Sequence, residues 1–153
     1  MMVKLEVPYH KQNRDYTCGP ACLRMVLEYW GFQRDEVSLS MLCGTTLAGT
    51  GLAEIAEAAQ QVGFEAEWKR NAKFSDLISA IKRSTPVIAI VDARLLHNLE
   101  LPVAAGHMIV IVAVTTGTVF YHDPEVGREM TVSRQIFMQA WENFRKGMVT
   151  IWR

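Results

Sequence analysis

Cys18 is where chemistry can be built. Gly19 and Pro20 follow it directly, and proline is favoured in the first turn of a helix, where its missing N–H is not needed. A cysteine there meets the unpaired N–H groups and the positive end of the helix dipole, which favour the nucleophilic thiolate over the thiol. A thiolate gains most from an imidazole that takes its proton and from a carboxylate that orients the imidazole. Both are present. His107 opens the apolar run HMIVIVAV after the small residues Ala104, Ala105 and Gly106, and Asp123 closes the run VFYHD. With TTGT at 115–118 as the turn, the two runs form an antiparallel hairpin that returns His107 and Asp123 to the same open end, within a few residues of cross-strand register. Gln12, ahead of Cys18, carries an amide that can join the Cys18 backbone N–H in binding the oxyanion of a tetrahedral intermediate.

Singly, each residue has an ordinary explanation: a surface glutamine, a hydrogen-bonded histidine at a strand end, a turn-forming aspartate before Pro124. Their joint occurrence points to a cysteine nucleophile served by a His–Asp pair. Cys22 and Cys43 read as small buried hydrophobes. Three cysteines cannot all pair, and the CxxC spacing of a zinc site is lacking, so neither a disulfide framework nor a metal is expected. His97 reads as an exposed loop histidine. His122, alternating with Asp123 along its strand, should point away from the Asp123 side chain.

The elements that must position these residues follow from apolar periodicity. From Cys18 to Gly31, Cys22, Met25, Val26 and Tyr29 share one helical face, and Leu23, Leu27 and Trp30 populate its neighbour. Only Arg24 and Glu28 mark a solvent stripe, so this helix should be buried on most sides and its N-terminus held still. Upstream, Val3, Leu5 and Val7 alternate like a short strand that Pro8 ends. Downstream, Ser38, Thr50, Ser75 and Ser133 stand as candidate caps of four further helices. Residues 43–51 read as a loop, and Phe64, Ala66 and Trp68 as a half-buried strand. PVIAIV has the continuous apolar character of a central strand. Residues 94–105 lack periodicity and read as a loop that could set specificity. A strand through Met130 and Val132, a helix with Ile136, Phe137, Ala140, Trp141 and Phe144 on one face, and a final strand MVTIW complete the chain. The four tryptophans are assigned to the core.

Of the 153 residues, half are apolar and 21% charged, which fits one domain over 1–153 with a sizeable core. Net charge is zero and no basic run occurs, so nucleic acid and acidic membrane surfaces are not expected partners. The start is not signal-like and no run reaches about eighteen apolar residues. A cytoplasmic protein without an integral membrane segment is expected.

The segments QNRDYTCGPACLRMVLEYWG, GLAEIAEAAQQVGF, PVIAIV, GHMIVIVAV and HDPEVG, in this order and over nearly the whole chain, resemble the bacterial bacteriocin-processing cysteine peptidases, the double-glycine leader peptidases of papain-like fold. The resemblance implies an α+β fold, with an N-terminal helical part that carries the nucleophile at a helix N-terminus and packs on a C-terminal antiparallel sheet. It implies Cys18 as nucleophile, His107 as general base and later acid, Asp123 as the residue that orients His107, and Gln12 as oxyanion-hole donor, with no cofactor and no metal. The implied reaction is hydrolysis of a peptide bond in a peptide or protein substrate, with cleavage after a Gly-Gly leader sequence and a separate export transporter as a further partner. Thr17 stands where many members carry Asp. The membrane and ATP-binding domains of the family's exporters do not follow, as expected of a stand-alone domain. The alternative readings are a non-catalytic peptide-binding module of the same fold and an acyl transferase, in which an amine rather than water takes the acyl group.

Overall fold

The computed structural model describes residues 2–153. The apolar-rich segment after Thr17 forms α1 (Cys18–Tyr29), whose residues from Gly19 to Cys22, Leu23 and Met25 to Leu27 are buried. Thr17 is its N-cap but makes no side-chain cap bond to the helix. Next come α2 (Glu36–Cys43) and α3 (Leu52–Gln61), then β1 (Glu65–Lys69) and α4 (Phe74–Lys82). The second half contains β2 (Val87–Asp92), a single turn α5 (Ala93–Leu96), β3 (Gly106–Val114), β4 (Thr118–Asp123), β5 (Gly127–Ser133), α6 (Arg134–Glu142) and β6 (Met148–Trp152).

One six-stranded sheet results, in the order β1-β6-β2-β3-β4-β5, with every neighbouring pair antiparallel. β2 and β3 are its central pair and are buried along nearly their whole length. Because successive side chains point to opposite faces, burial of consecutive positions means that both faces of these strands are covered, which is why they read as continuous apolar runs. α1 packs on β3 and against α2 and α3, while α6 packs on β2 and against α5. The far end of α1 is tied down as well: Trp30 Nε1 donates to the Ile151 carbonyl at 2.9 Å, and Tyr29 Oη to the Ser84 carbonyl at 2.8 Å.

Several sequence expectations need correction. Val3, Leu5 and Val7 form no strand; Leu5 and Val7 are buried as their alternation requires, but among the described residues the one backbone–backbone bond from them to the sheet is Leu5 N to Val112 O, 2.9 Å. That bond falls where the β3–β4 register shifts, between Ile111 and Ala113. Ser38 is not a cap: Asp35 caps α2, accepting from the Ser38 N–H. Gly51 and Lys73 occupy the cap positions expected for Thr50 and Ser75, whereas Ser133 caps α6 as its position indicates. Trp141 is fully buried, but Trp68 and Ile136 are exposed. Trp68 lies on an edge strand and Ile136 in the first turn of α6, places where periodicity says little about the neighbours.

Candidate active site

The segment before α1 does not pair as a strand, yet it is tied to the end of β4. Tyr9 Oη donates to the Asp123 carbonyl at 2.8 Å, and the Gln12 N–H donates to the Pro124 carbonyl at 2.8 Å. The next residue is tied to α2, where the Asn13 N–H lies 3.1 and 3.0 Å from the two oxygens of buried Glu36. The chain then turns through residues 14–17. Thr17 Oγ1 accepts from the Arg14 N–H at 3.0 Å and donates to the Arg14 carbonyl at 2.9 Å. A threonine can thus close this turn with both halves of its hydroxyl. The same carbonyl accepts from Gln12 Nε2 at 2.7 Å, which fixes the Gln12 amide and leaves its second N–H uncommitted. Gln12 Oε1 is buried and has no partner among the described residues.

Cys18 is the first residue of α1, half-buried and free. Its N–H meets no backbone acceptor among the described residues, as expected for a first-turn donor. Gly19 lets the helix approach the sheet: a Cβ there would lie 3.1 to 3.2 Å from Thr50, Ile55 and Met108 side-chain atoms. Behind it, the thiol of Cys22 is fully buried, and burial, then the charges of Cys18 and Asp123, raise it well above the ordinary thiol value. Cys22 and Cys43 are the inert buried cysteines their positions indicate.

His107 enters from β3 and Asp123 from β4, in a ladder where Val110 faces His122. His107 Nε2 lies 2.7 Å from Asp123 Oδ1. Burial works against the charged imidazolium, but hydrogen bonds to Asp123 and Cys18, with their charges, outweigh it and push His107 up to about 10. Asp123 is fully buried. Burial alone would raise its carboxyl, yet hydrogen bonds from His107 and His97 and the His107 charge hold it below the usual carboxylate range. Gly106 precedes His107 for a packing reason, since a Cβ there would sit 2.9 Å from the Phe144 ring.

His107 and Asp123 are thus paired, Cys18 is among the groups that raise His107, and Gln12 lies on the segment bonded to Pro124. His122 is separate from them: its Nε2 bonds to the Val7 carbonyl at 2.8 Å and its Nδ1 accepts from the Glu129 N–H at 3.0 Å. His97 overturns its sequence reading as an exposed loop histidine. It is largely buried, and its Nε2 lies 2.6 Å from Asp123 Oδ2. Nothing local in the sequence marks it, because its neighbours Leu95, Leu96, Asn98 and Leu99 show no periodicity; only the fold brings it to Asp123. His97, His107 and Asp123 offer three donor atoms within 4.8 Å of one another. However, both Nε2 atoms stand at hydrogen-bond distance from the carboxylate, whose Oδ1 also accepts from the Glu125 N–H at 2.9 Å. The cluster is thus a hydrogen-bonded one.

Two clefts flank this arrangement or stand apart from it. One, of about 560 Å³, is lined by Arg14, Tyr16, Thr17, Val37 and Met41 among others and opens beside the residue preceding Cys18. Another, of about 520 Å³, lies between Trp30, Lys69, Arg83 and Trp152 and contains none of these residues. No helix among the described residues is long and apolar enough to cross a membrane.

Comparison with known proteins gives the family and the fold. The Peptidase C39 like family matches residues 4–149. The lactococcin transport/processing ATP-binding protein LcnC-like of Lactococcus lactis is 31% identical over 134 residues, 87% of this chain but 17% of that protein, so the chain spans about a sixth of its relative's length. A structure described as a C39-like peptidase from Bacillus anthracis superposes with a TM-score of 0.80 at 19% identity, covering 100% of this chain and 98% of the other. A double glycine motif protease from an AMS/PCAT transporter, in complex with the leader peptide, superposes at 0.74 with 19% identity, covering 97% and 93%. The fold is papain-like: a helix bearing a cysteine at its N-terminus, set against an antiparallel sheet bearing a histidine.

Proposed function

The chain belongs to the C39-like peptidase family, and on that premise we propose that it is a cysteine peptidase, one domain over 1–153, that hydrolyses a peptide bond through Cys18, His107 and Asp123. The observation that carries this reading is the His107 imidazole, 2.7 Å from a carboxylate oxygen of buried Asp123, with Cys18 among the groups that raise it.

In the proposed reaction the Cys18 thiolate attacks the scissile carbonyl carbon, and the carbonyl π electrons move onto oxygen. The Cys18 backbone N–H and the uncommitted N–H of Gln12 hold that oxyanion. Collapse breaks the C–N bond as His107 gives its proton to the leaving amine. Water then attacks the thioester, passing a proton to His107, and the acid product leaves with the thiolate restored. Asp123 stays ionised and holds the ring in orientation. The substrate is a peptide that ends its leader in Gly-Gly, made for a separate export transporter. The likeness to the lactococcin-processing protein supports this substrate class.

The test is incubation with a leader peptide carrying a Gly-Gly junction and a tail, followed by mass spectrometry. The wild-type chain is expected to yield two fragments divided after Gly-Gly, and Cys18→Ala none. Tight binding without cleavage by a reduced, alkylatable chain would overturn the reading in favour of a binding module. A product carrying an added amine would replace hydrolysis by acyl transfer.

A further inference from the structure

The carboxylate of Asp123 is shared. Oδ1 accepts from His107 Nε2 and from the N–H groups of Glu125 and Val126, the latter at 3.3 Å, whereas the one partner of Oδ2 among the described residues is His97 Nε2. We propose that His97 is a positioning residue: it occupies Oδ2, fixes the carboxylate plane, and so keeps Oδ1 on His107. This rests on the reading of Cys18, His107 and Asp123 as the catalytic group.

His97 is itself held from the other end of its loop. Asp92, the last residue of β2, is fully buried and binds the Arg94 guanidinium at 2.9 Å, Asn143 Nδ2 at 2.9 Å, and the N–H groups of Arg94 and Ala105 at 3.1 and 3.2 Å. The Ala93 N–H donates to the Ala105 carbonyl at 2.8 Å, closing the loop at its base, and the His97 N–H donates to the Ala93 carbonyl at 2.8 Å. Asp92 thus anchors the loop on β2, and His97 latches it onto Asp123. The two imidazoles meet edge to face, 5.7 Å between centroids, so the carboxylate is clamped between rings from two separate segments. A carboxylate oxygen with no donor would be buried and unpaired if His97 were removed, and rotation of the group would be its way to regain a partner. That rotation would loosen the Oδ1 bond on which the His107 orientation depends.

The experiment is proton NMR of the His107 Nε2–H in a Cys18→Ser background, so that the result is independent of whether Cys18 acts as a nucleophile. Solvent exchange of this proton is expected to rise about tenfold in His97→Ala and to return to within about threefold of the parent in His97→Gln, whose longer amide restores a donor to Oδ2. Should the alanine chain fail to fold, His97→Asn, whose amide is too short to reach, takes its place with the same expectation. In the Cys18-containing chain, His97→Ala should lower kcat about tenfold with KM little changed, and His97→Gln should recover most of it. An unchanged exchange rate in His97→Ala or His97→Asn, or a His97→Gln chain that exchanges as fast as they do, would overturn the proposal. Failure of the peptidase reading itself would show elsewhere, as a Cys18 that is alkylated no faster in the wild-type chain than in His107→Ala.

Discussion

Residue by residue, the proposed reaction gives the groups around Cys18 separate work, and kinetics can tell them apart. Gln12 is held by the Arg14 carbonyl with one N–H to spare, which the proposed reaction uses as a donor to charge that exists only after attack. Gln12→Ala is therefore expected to lower kcat about a hundredfold while leaving KM nearly unchanged, the signature of an interaction made in the transition state. Asp123→Asn keeps the shape but puts an amide where both histidines require an acceptor. A fall in kcat of about 10²- to 10⁴-fold in a folded chain is expected, measured beside the far-ultraviolet dichroism that checks folding. These residues are legible in the sequence because each sits at a marked place: a helix mouth, a strand start, a strand end before proline. His97 is not, because its partner lies on another segment and its loop has no period to read.

At the scale of elements, the site depends on how closely α1 and α6 approach the sheet. Gly106 is the sharpest instance, with Phe144 of the segment after α6 filling the space a side chain would need. Gly106→Ala must push an aromatic ring away from the start of β3, and it is expected to destabilise the fold by about 1–3 kcal/mol in urea unfolding. The loss should be accompanied by slower turnover, since His107 is the next residue. Long periodic elements such as α1, β2 and the β3–β4 hairpin are readable from the amino-acid sequence, because burial on a fixed face leaves a repeating pattern. Caps and the N-terminal strap are less readable. Asp35 and Ser38 both belong to the α2 cap, one as acceptor and one as donor, and sequence alone does not say which. The segment before α1 buries Leu5 and Val7 as a strand would, but it meets the sheet through the Leu5–Val112 backbone bond and the His122 ring on the Val7 carbonyl, and its later hydrogen bonds go to Asp123, Pro124 and Glu36.

Across the whole molecule, β3 and β4 meet at the buried His107–Asp123 pair, and this couples stability to pH. His107 is raised to about 10 in the fold, against an unfolded value of about 6.5. Its contribution is thus fully present below about pH 6.5 and is lost as pH rises towards 10. Asp123 is depressed, so its contribution is present above about pH 3.9 and is lost in acid. His122, lowered by burial with its Nδ1 accepting from Glu129, acts in the opposite sense to His107 and destabilises the fold as pH falls below about 6.5. The thermal midpoint of the wild-type chain should fall between pH 7 and pH 10, and His107→Gln should lose most of that decline. On the proposed reading, the segment before α1, the helix and the hairpin together bring His107 to Cys18. The measurement that tests this is the rate of Cys18 alkylation by iodoacetamide, followed by mass spectrometry, in wild type and His107→Ala. Alkylation at least about tenfold faster in the wild type than in His107→Ala is the predicted result. Equal rates in both chains would contradict it.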